Sequence, residues 1–184
     1  MLAEHLLAVS IHDFESMKSL GQKAIMQLPE EGFQWSPEPE SNSIAVIINH
    51  LSGNMISRWT DFLTTDGEKA TRDRDTEFEL SHASLQELLD RREAGWTVLL
   101  DTLRSLKAED LMATIRIRGE AHTVVQAIHR QISHYGYHVG QIVYIAKAYR
   151  SEKWETLSIA KGKSGSFNAQ KHKSAAAAES FEQK

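Results

Sequence analysis

The placement of proline constrains this chain most strongly. Its 184 residues contain only three prolines, and all of them fall between Pro29 and Pro39. Because proline breaks the interior of a helix, long helices can run without interruption on both sides of this short segment. The length, with 41% apolar and 25% charged residues, is enough for one globular domain with a core.

Four segments outside the prolines carry apolar residues at helical spacing, and each predicts an amphipathic helix. Their approximate bounds are 2–28, 44–66, 85–106 and 123–149. Ser41 and Ser43 are both good N-caps for the second helix. Ser84 and Glu87 form a predicted capping box for the third, with Ser81 as a competing start.

A short hairpin is expected between the third and fourth helices. Residues 114–118 alternate between polar and apolar, as a half-buried strand does, and Gly119-Glu120 supplies a turn. Residues 160–184 are polar and rich in lysine, which predicts a mobile tail with a helical turn at its alanines. We therefore expect an all-α four-helix bundle over 1–159, followed by the tail.

Composition excludes several classes of function. The chain has no cysteine, so it has no disulfide, zinc–thiolate site or cysteine nucleophile. Its formal charge of -4 gives no basic excess for nucleic acid. No apolar run is long enough to span a membrane, and the first residues lack the pattern of a signal peptide. A cytoplasmic location is therefore expected.

Nine histidines offer the most informative pattern. His134 and His138 lie four apart on the fourth helix, so their side chains share one face and can bind one metal ion. Spacing alone leaves the third ligand open among four candidates: His5, His12, His50 and His82. His50 is the most suggestive of these because it lies at the edge of the core stripe of the second helix. His129 faces the other edge of its helix and is excluded.

Three passages of the sequence resemble a known family. They are the segment 43–51, SIAVIINHL, which ends in His50-Leu51; the segment 134–142, HYGYHVGQI; and the segment 157–164, LSIAKGKS. On these residues the chain resembles the DinB-like (YfiT-type) superfamily of metal-dependent four-helix bundles, and within it the YizA-like bacterial branch. The resemblance spans residues 1 to about 168.

The resemblance implies a fold and a site. The fold would be an up-down-down-up bundle with a crossover between the second and third helices. The site would be a divalent metal held by His50, His134 and His138, and residue types alone do not distinguish zinc, nickel and iron(II). Many relatives are dimers, so a homodimer is expected. Characterised relatives include S-transferases that use low-molecular-weight thiols, which implies a metal-dependent enzyme acting on a small molecule with such a thiol.

Two other functions stay open beside thiol-dependent S-transfer. One is hydrolysis by a metal-bound hydroxide. The other is a non-catalytic dimeric bundle that binds a small molecule or a partner. Four further residues are candidates for binding substrate or orienting a ligand: Asn54, Arg58, Tyr135 and Gln141. Arg58 is the candidate for binding a carboxylate, because it lies near the centre of its helix stripe.

Overall fold

The computed structural model describes residues 1–79 and 83–182, with side chains described up to residue 174. Its described residues are mostly helical, with one small two-stranded sheet. They divide into two compact units, Met1–Glu152 and Lys153–Lys184. The long helices of the first unit are α1 Leu2–Ile25, α2 Ile44–Trp59, α3 Leu85–Ser105 and α4 Val124–Arg150.

Short 3-10 helices occupy parts of the connections. Their bounds are Glu30–Phe33, Asp75–Phe78, Ala108–Met112 and Ser151–Lys153. The one at Asp75–Phe78 lies in the long connection between α2 and α3 and contacts α2. This connection supplies part of the candidate site.

Side-chain caps define the starts of three helices. The Ser43 hydroxyl accepts a hydrogen bond from the Val46 N–H, and Ser84 forms the predicted capping box with Glu87. Thr123 does the same with Gln126 at the start of α4. The competing start at Ser81 lies outside the described residues. These caps satisfy backbone N–H groups that the first helical turn leaves without partners.

The second helix is shorter than its apolar pattern predicts. It ends at Trp59, and the backbone turns at Asp61, whose φ is 48°. Phe62 remains buried and stacks on Trp59, with ring centroids 4.7 Å apart. The apolar pattern therefore continued past the end of the helix because Phe62 reaches the core from the following turn.

The core lies between the four long helices. Helix α2 packs against α3, α1 packs against α4, and further contacts join α1 to α3 and α2 to α4. At its centre, the Phe14 ring contacts the Tyr135 ring, with centroids 5.9 Å apart, and the Trp59 ring, with centroids 6.2 Å apart. Such aromatic packing fixes the positions of α2 and α4, which carry the histidines. The up-down-down-up topology stays a prediction.

The expected hairpin is present. Strands β1 Thr114–Ile117 and β2 Glu120–Thr123 pair antiparallel. The turn is formed by Arg118 and Gly119, with φ of 55° and 77°, one residue earlier than predicted. Positive φ at both central residues is typical of the tight turn that matches strand twist.

This turn is tied to the connection after α2. The Asp66 carboxylate accepts hydrogen bonds from the N–H groups of Arg118 and Gly119 at 2.8 and 2.7 Å. The Gly67 N–H donates to the Arg116 carbonyl at 2.8 Å. The hairpin therefore anchors the start of the connection between α2 and α3.

The second unit contains the helix α5, Ser164–Glu182. It is much longer than the helical turn expected at the alanines. All described side chains from 160 to 174 are exposed. The mobility of this segment and the boundary after residue 159 stay predictions.

Within the described residues, no helix combines the length and apolarity needed to cross a membrane. Cytoplasmic location and homodimer also stay predictions.

Candidate metal centre

Three histidines from two helices meet on one side of the core. His50 comes from α2, and His134 and His138 come from successive turns of α4. One ring nitrogen of each lies within 4.8 Å of the other two. The Nε2 atoms of His50 and His134 are 3.3 Å apart. The cluster is mostly enclosed, since His50 and His138 are 4% and 6% exposed.

The other nitrogen of each ring is already bonded. The Nδ1 atom of His50 lies 2.9 Å from Glu77 Oε2. The Nδ1 atoms of His134 and His138 lie 3.2 and 2.8 Å from the amide oxygens of Gln131 and Gln141. Because these oxygens only accept, each Nδ1 carries a proton and donates it. Each ring then presents Nε2 as its lone-pair nitrogen.

The surroundings keep the two α4 histidines neutral. Burial lowers the pKa of His134 to about 3, and the neighbouring imidazoles of His138 and His50 add to this effect. Burial likewise lowers the pKa of His138 to about 4, although its bond to Gln141 opposes the change. A metal binds the neutral imidazole, so these rings need not lose a proton before binding at neutral pH.

These residues fit a divalent metal ion. Bonds of about 2.0–2.1 Å to a tetrahedral ion place two imidazole nitrogens roughly 3.3 Å apart, the separation of the His50 and His134 Nε2 atoms. Nδ1 atoms that donate to a carboxylate or amide oxygen are typical of histidines that bind metals, since this fixes the ring and its tautomer. The three histidines could therefore hold one ion and leave other coordination positions open.

Glu77 is the acidic partner of this cluster. It is 6% exposed and accepts from Nε and Nη2 of Arg72, both at 2.7 Å. Burial by itself raises the pKa of the Glu77 carboxyl, but the bonds from His50 and Arg72 and the Arg72 charge hold it below its ordinary value. The carboxylate is therefore ionised at neutral pH.

A glycine on α2 makes room for this carboxylate. A Cβ atom at Gly53 would lie 2.8 Å from Glu77 Cδ, closer than such atoms approach. Gly53 is one turn after Asn49, whose side-chain amide lies 3.5 Å from the Glu77 carbonyl. The absence of a side chain at this position lets the connection between α2 and α3 lie against α2 beside His50.

A cavity of about 490 Å³ opens over the histidines. Its floor includes buried residues from α2, among them Asn54 and Arg58, whereas Arg118, Arg130 and Tyr137 at its edge are exposed. The three histidines are therefore accessible to a small molecule even though they are mostly enclosed. A cavity of this size is in the range that binds small ligands.

Three further residues that the sequence suggested for binding substrate or orienting a ligand lie near the cluster: Asn54, Tyr135 and Gln141. Asn54 lines the cavity and accepts from the Tyr135 hydroxyl at 2.9 Å, which in turn accepts from Trp59 Nε1 at 3.1 Å. Full burial raises the pKa of Tyr135, so this hydroxyl positions Asn54 and does not titrate near neutral pH. Gln141 does not line the cavity and contacts the cluster through His138.

Among the described residues, no other histidine belongs to this cluster. His5, His12, His129 and His172 are exposed, and His122 contacts the Glu120 carbonyl in the hairpin at 3.1 Å. His82 lies outside the described residues.

Sequence reasoning missed three residues of the site: Arg72, Glu77 and Gln131. Glu77 and Arg72 stand in a charged loop, where nothing local distinguishes them from solvated residues. Gln131 did leave a signal, because it precedes His134 by the same three residues that separate His138 from Gln141. On a helix this spacing places the amide beside the ring.

Comparisons with known proteins give a family and a fold. The model of the family described as "Protein of unknown function (DUF1572)" matches residues 1–163. Among curated proteins, none matches the chain. The crystal structure of a conserved protein from Enterococcus faecalis aligns with a TM-score of 0.58 at 17% identity, over 76% of this chain and 94% of that one. At this identity the likeness concerns the fold alone.

Proposed function

Because the chain belongs to the DUF1572 family, whose function is unknown, we propose its function from its site. The protein is a metal-dependent enzyme that holds one divalent ion through His50, His134 and His138. The proposal rests on one observation. The Nε2 atoms of three imidazoles converge beneath an open cavity, while their Nδ1 atoms are hydrogen-bonded to oxygen atoms of protein side chains. A purely structural site would have all its positions filled by protein.

The DinB-like fold is part of the proposal, and the order of contacts supports it. Along α2 and α3, Asn49 contacts Arg91 and Trp59 contacts Thr102, so residue numbers rise together, as in parallel helices. Between α1 and α3 the order reverses, since Lys18 pairs with Glu93 and Glu15 with Arg104.

The remaining helix pairs follow the same scheme. His50 contacts His138 and Trp59 contacts Tyr135, which is the order of antiparallel α2 and α4. Phe14 contacts Tyr135 and Gly21 faces Val139, which is the order of parallel α1 and α4. An up-down-down-up bundle has these four relations.

Thiol-dependent S-transfer is the reaction we assign to the site. A bound divalent ion would supply a Lewis acid that favours the thiolate form of a thiol. The chain has no cysteine, so a small thiol would come from solution through the cavity. Asn54, held by Tyr135, and the buried guanidinium of Arg58 line that cavity and would orient the second reactant.

The test is thiol consumption by the full-length protein loaded with zinc, nickel or iron(II). Glutathione, bacillithiol and mycothiol are each offered with an electrophilic acceptor, beside a His134→Ala/His138→Ala variant and a His129→Ala control. The proposal expects thiol loss with the parent and the control, and the background rate with the double variant. Equal rates in all three proteins contradict S-transfer, and product formed without thiol assigns the site to hydrolysis.

A further inference from the structure

Positive charge dominates the cavity over the histidines. Five arginines line it, and no acidic side chain lines it within the part of the chain that the structure describes: the arginines are Arg58, Arg72, Arg74, Arg118 and Arg130. A bound divalent ion would add to this charge. A cavity with one sign of charge favours a ligand of the opposite sign.

Four of these arginines contact Glu68, Glu77 or an aromatic ring. Arg72 is bonded to Glu77 and pairs with Glu68 at 3.1 Å. Arg118 reaches the same Glu68 carboxylate at 3.4 Å. Arg74 lies over the ring of Phe78, 4.9 Å from its centroid. Glu68 also lies 3.7 Å from Arg58, so the carboxylates of Glu68 and Glu77 are shared and leave an excess of positive charge on the five arginines.

Arg58 is the least satisfied of the group. It is 3% exposed, and its Nε and Nη1 atoms have no hydrogen-bond partner among the described residues. Its ion-pair neighbour, Glu68, is 3.7 Å from Nη2 and is shared with Arg72 and Arg118. Burying a guanidinium whose Nε and Nη1 atoms make no hydrogen bond is costly to the fold, and an anion bound in the cavity beside Arg58 would offset part of this cost.

The spacing of residues along α2 and α4 locates Arg58 and Arg130 relative to the histidines. His50, Asn54 and Arg58 follow one another at intervals of four on α2, and His138, His134 and Arg130 do so in the opposite direction on α4. Each series begins at the metal cluster and ends at an arginine. Arg58 follows His50 by eight residues, which is about 12 Å along the helix axis.

We propose that Arg58 and Arg130 form an oxyanion subsite, which binds the carboxylate or phosphate group of the substrate and directs its reactive end toward the histidines. A guanidinium suits this role because its parallel N–H groups match two oxygens of such an anion. The assignment of the ligand as substrate rests on the proposed function, but anion binding itself requires no metal. The substrate class is thus a small acid. Its reacting group lies about 5 to 11 Å from its anionic group, the length of one to two helical turns.

The experiment measures the melting temperature and the dissociation constant of the full-length protein with inorganic phosphate and with succinate. Both anions are titrated at constant ionic strength against chloride, on protein stripped by a chelator and on metal-loaded protein. Saturable binding of either anion is expected in both states, and the anion that binds more tightly identifies the group. Arg58→Met is expected to weaken it at least ten-fold.

Arg92→Met is the matched control. Arg92 is also a buried arginine, but its Nη1 and Nη2 atoms donate to the Gln22 side chain and the Lys18 carbonyl, both at 2.7 Å. This variant should lose stability and keep anion binding. Arg58→Met should melt no lower than the parent in buffer without oxyanions, since it removes an unsatisfied buried charge. If Arg58→Met does not fold, the subsite is tested by measuring anion binding to Arg130→Met, which changes an exposed residue.

The outcomes separate the two proposals. No saturable binding in either state, or equal binding by the parent, Arg58→Met and Arg130→Met, overturns the oxyanion subsite. Anion binding by a protein that takes up no metal contradicts the proposed enzyme and supports the subsite. Binding that appears only in the metal-loaded protein and is unchanged in Arg58→Met places the anion on the metal and overturns the subsite.

Discussion

At the scale of the residue, Glu77 fixes the tautomer of His50, so that the Nε2 atom carries the lone pair. Its carboxylate holds the His50 Nδ1 proton and is itself held by two nitrogens of Arg72. Glu77 is 27 positions from His50 along the chain. No local pattern links the two residues, so His50 could be selected from the sequence while its carboxylate partner could not.

Glu77→Gln is expected to lower metal affinity by about 10- to 100-fold, the usual effect of removing a carboxylate behind a metal-binding histidine. Glutamine keeps the shape of the side chain but loses the charge that strengthens the His50 bond. Competition with a chromophoric chelator measures the change. Glu79→Gln, at an exposed position two residues later, is the control, and equal affinity in both variants would exclude this role for Glu77.

The α4 histidines predict a pH dependence of folding in the metal-free protein. Their ordinary pKa of 6.5 falls to about 3 in His134 and about 4 in His138. Between these values and 6.5 the unfolded chain binds more protons than the folded chain, so stability falls as pH falls. Above pH 6.5 these groups add no slope.

Urea unfolding between pH 7 and pH 5 tests this behaviour. The parent should lose stability on acidification, and His134→Gln/His138→Gln should lose clearly less. His129→Gln, on the exposed side of α4, should match the parent. An equal loss in the parent and the double variant would show that the two rings are not held neutral by burial.

At the scale of the element, local chemistry specified helix starts better than helix ends. Ser43 and Ser84 bond within the first turn of their helices, so the sequence narrows each start to a few residues. Thr123, where α4 was expected to begin, bonds in the same way. The end of α2 depends on Asp61 and on the burial of Phe62, which are tertiary effects. The hairpin turn was displaced by one residue because Asp66, from a distant connection, binds the N–H groups of Arg118 and Gly119.

Gly53→Ala tests the contact between α2 and the connection that follows it. The new Cβ would overlap the Glu77 carboxylate, which Arg72 and His50 hold in place. We expect lower stability and a metal affinity reduced about ten-fold, as for loss of the carboxylate. Chelator competition and thermal unfolding measure the two effects.

Gly140→Ala is the matched control for this substitution. Gly140 lies on α4, and a Cβ there meets nothing within 4 Å. Alanine should therefore stabilise the protein by about 0.5–1 kcal/mol through helix propensity. If both variants gain stability and keep their metal affinity, Gly53 does not make room for Glu77.

At the scale of the whole molecule, the candidate site lies within one unit. Every residue that we assign to it falls in Met1–Glu152. A chain that ends at residue 159 is expected to keep its metal affinity. It should also keep its free energy of unfolding within about 0.5 kcal/mol, because the described side chains from 160 to 174 are exposed. A larger loss of either would assign the removed residues to the folded domain.

The central claim is that three histidines on two helices hold one divalent metal ion. Elemental analysis of the full-length protein, purified without chelator or metal-affinity resin, tests it most directly beside the His134→Ala/His138→Ala variant. The account predicts about one ion of zinc, nickel or iron per chain in the parent and close to none in the variant. A parent that holds no metal even after reloading, or a variant that holds as much as the parent, would contradict it.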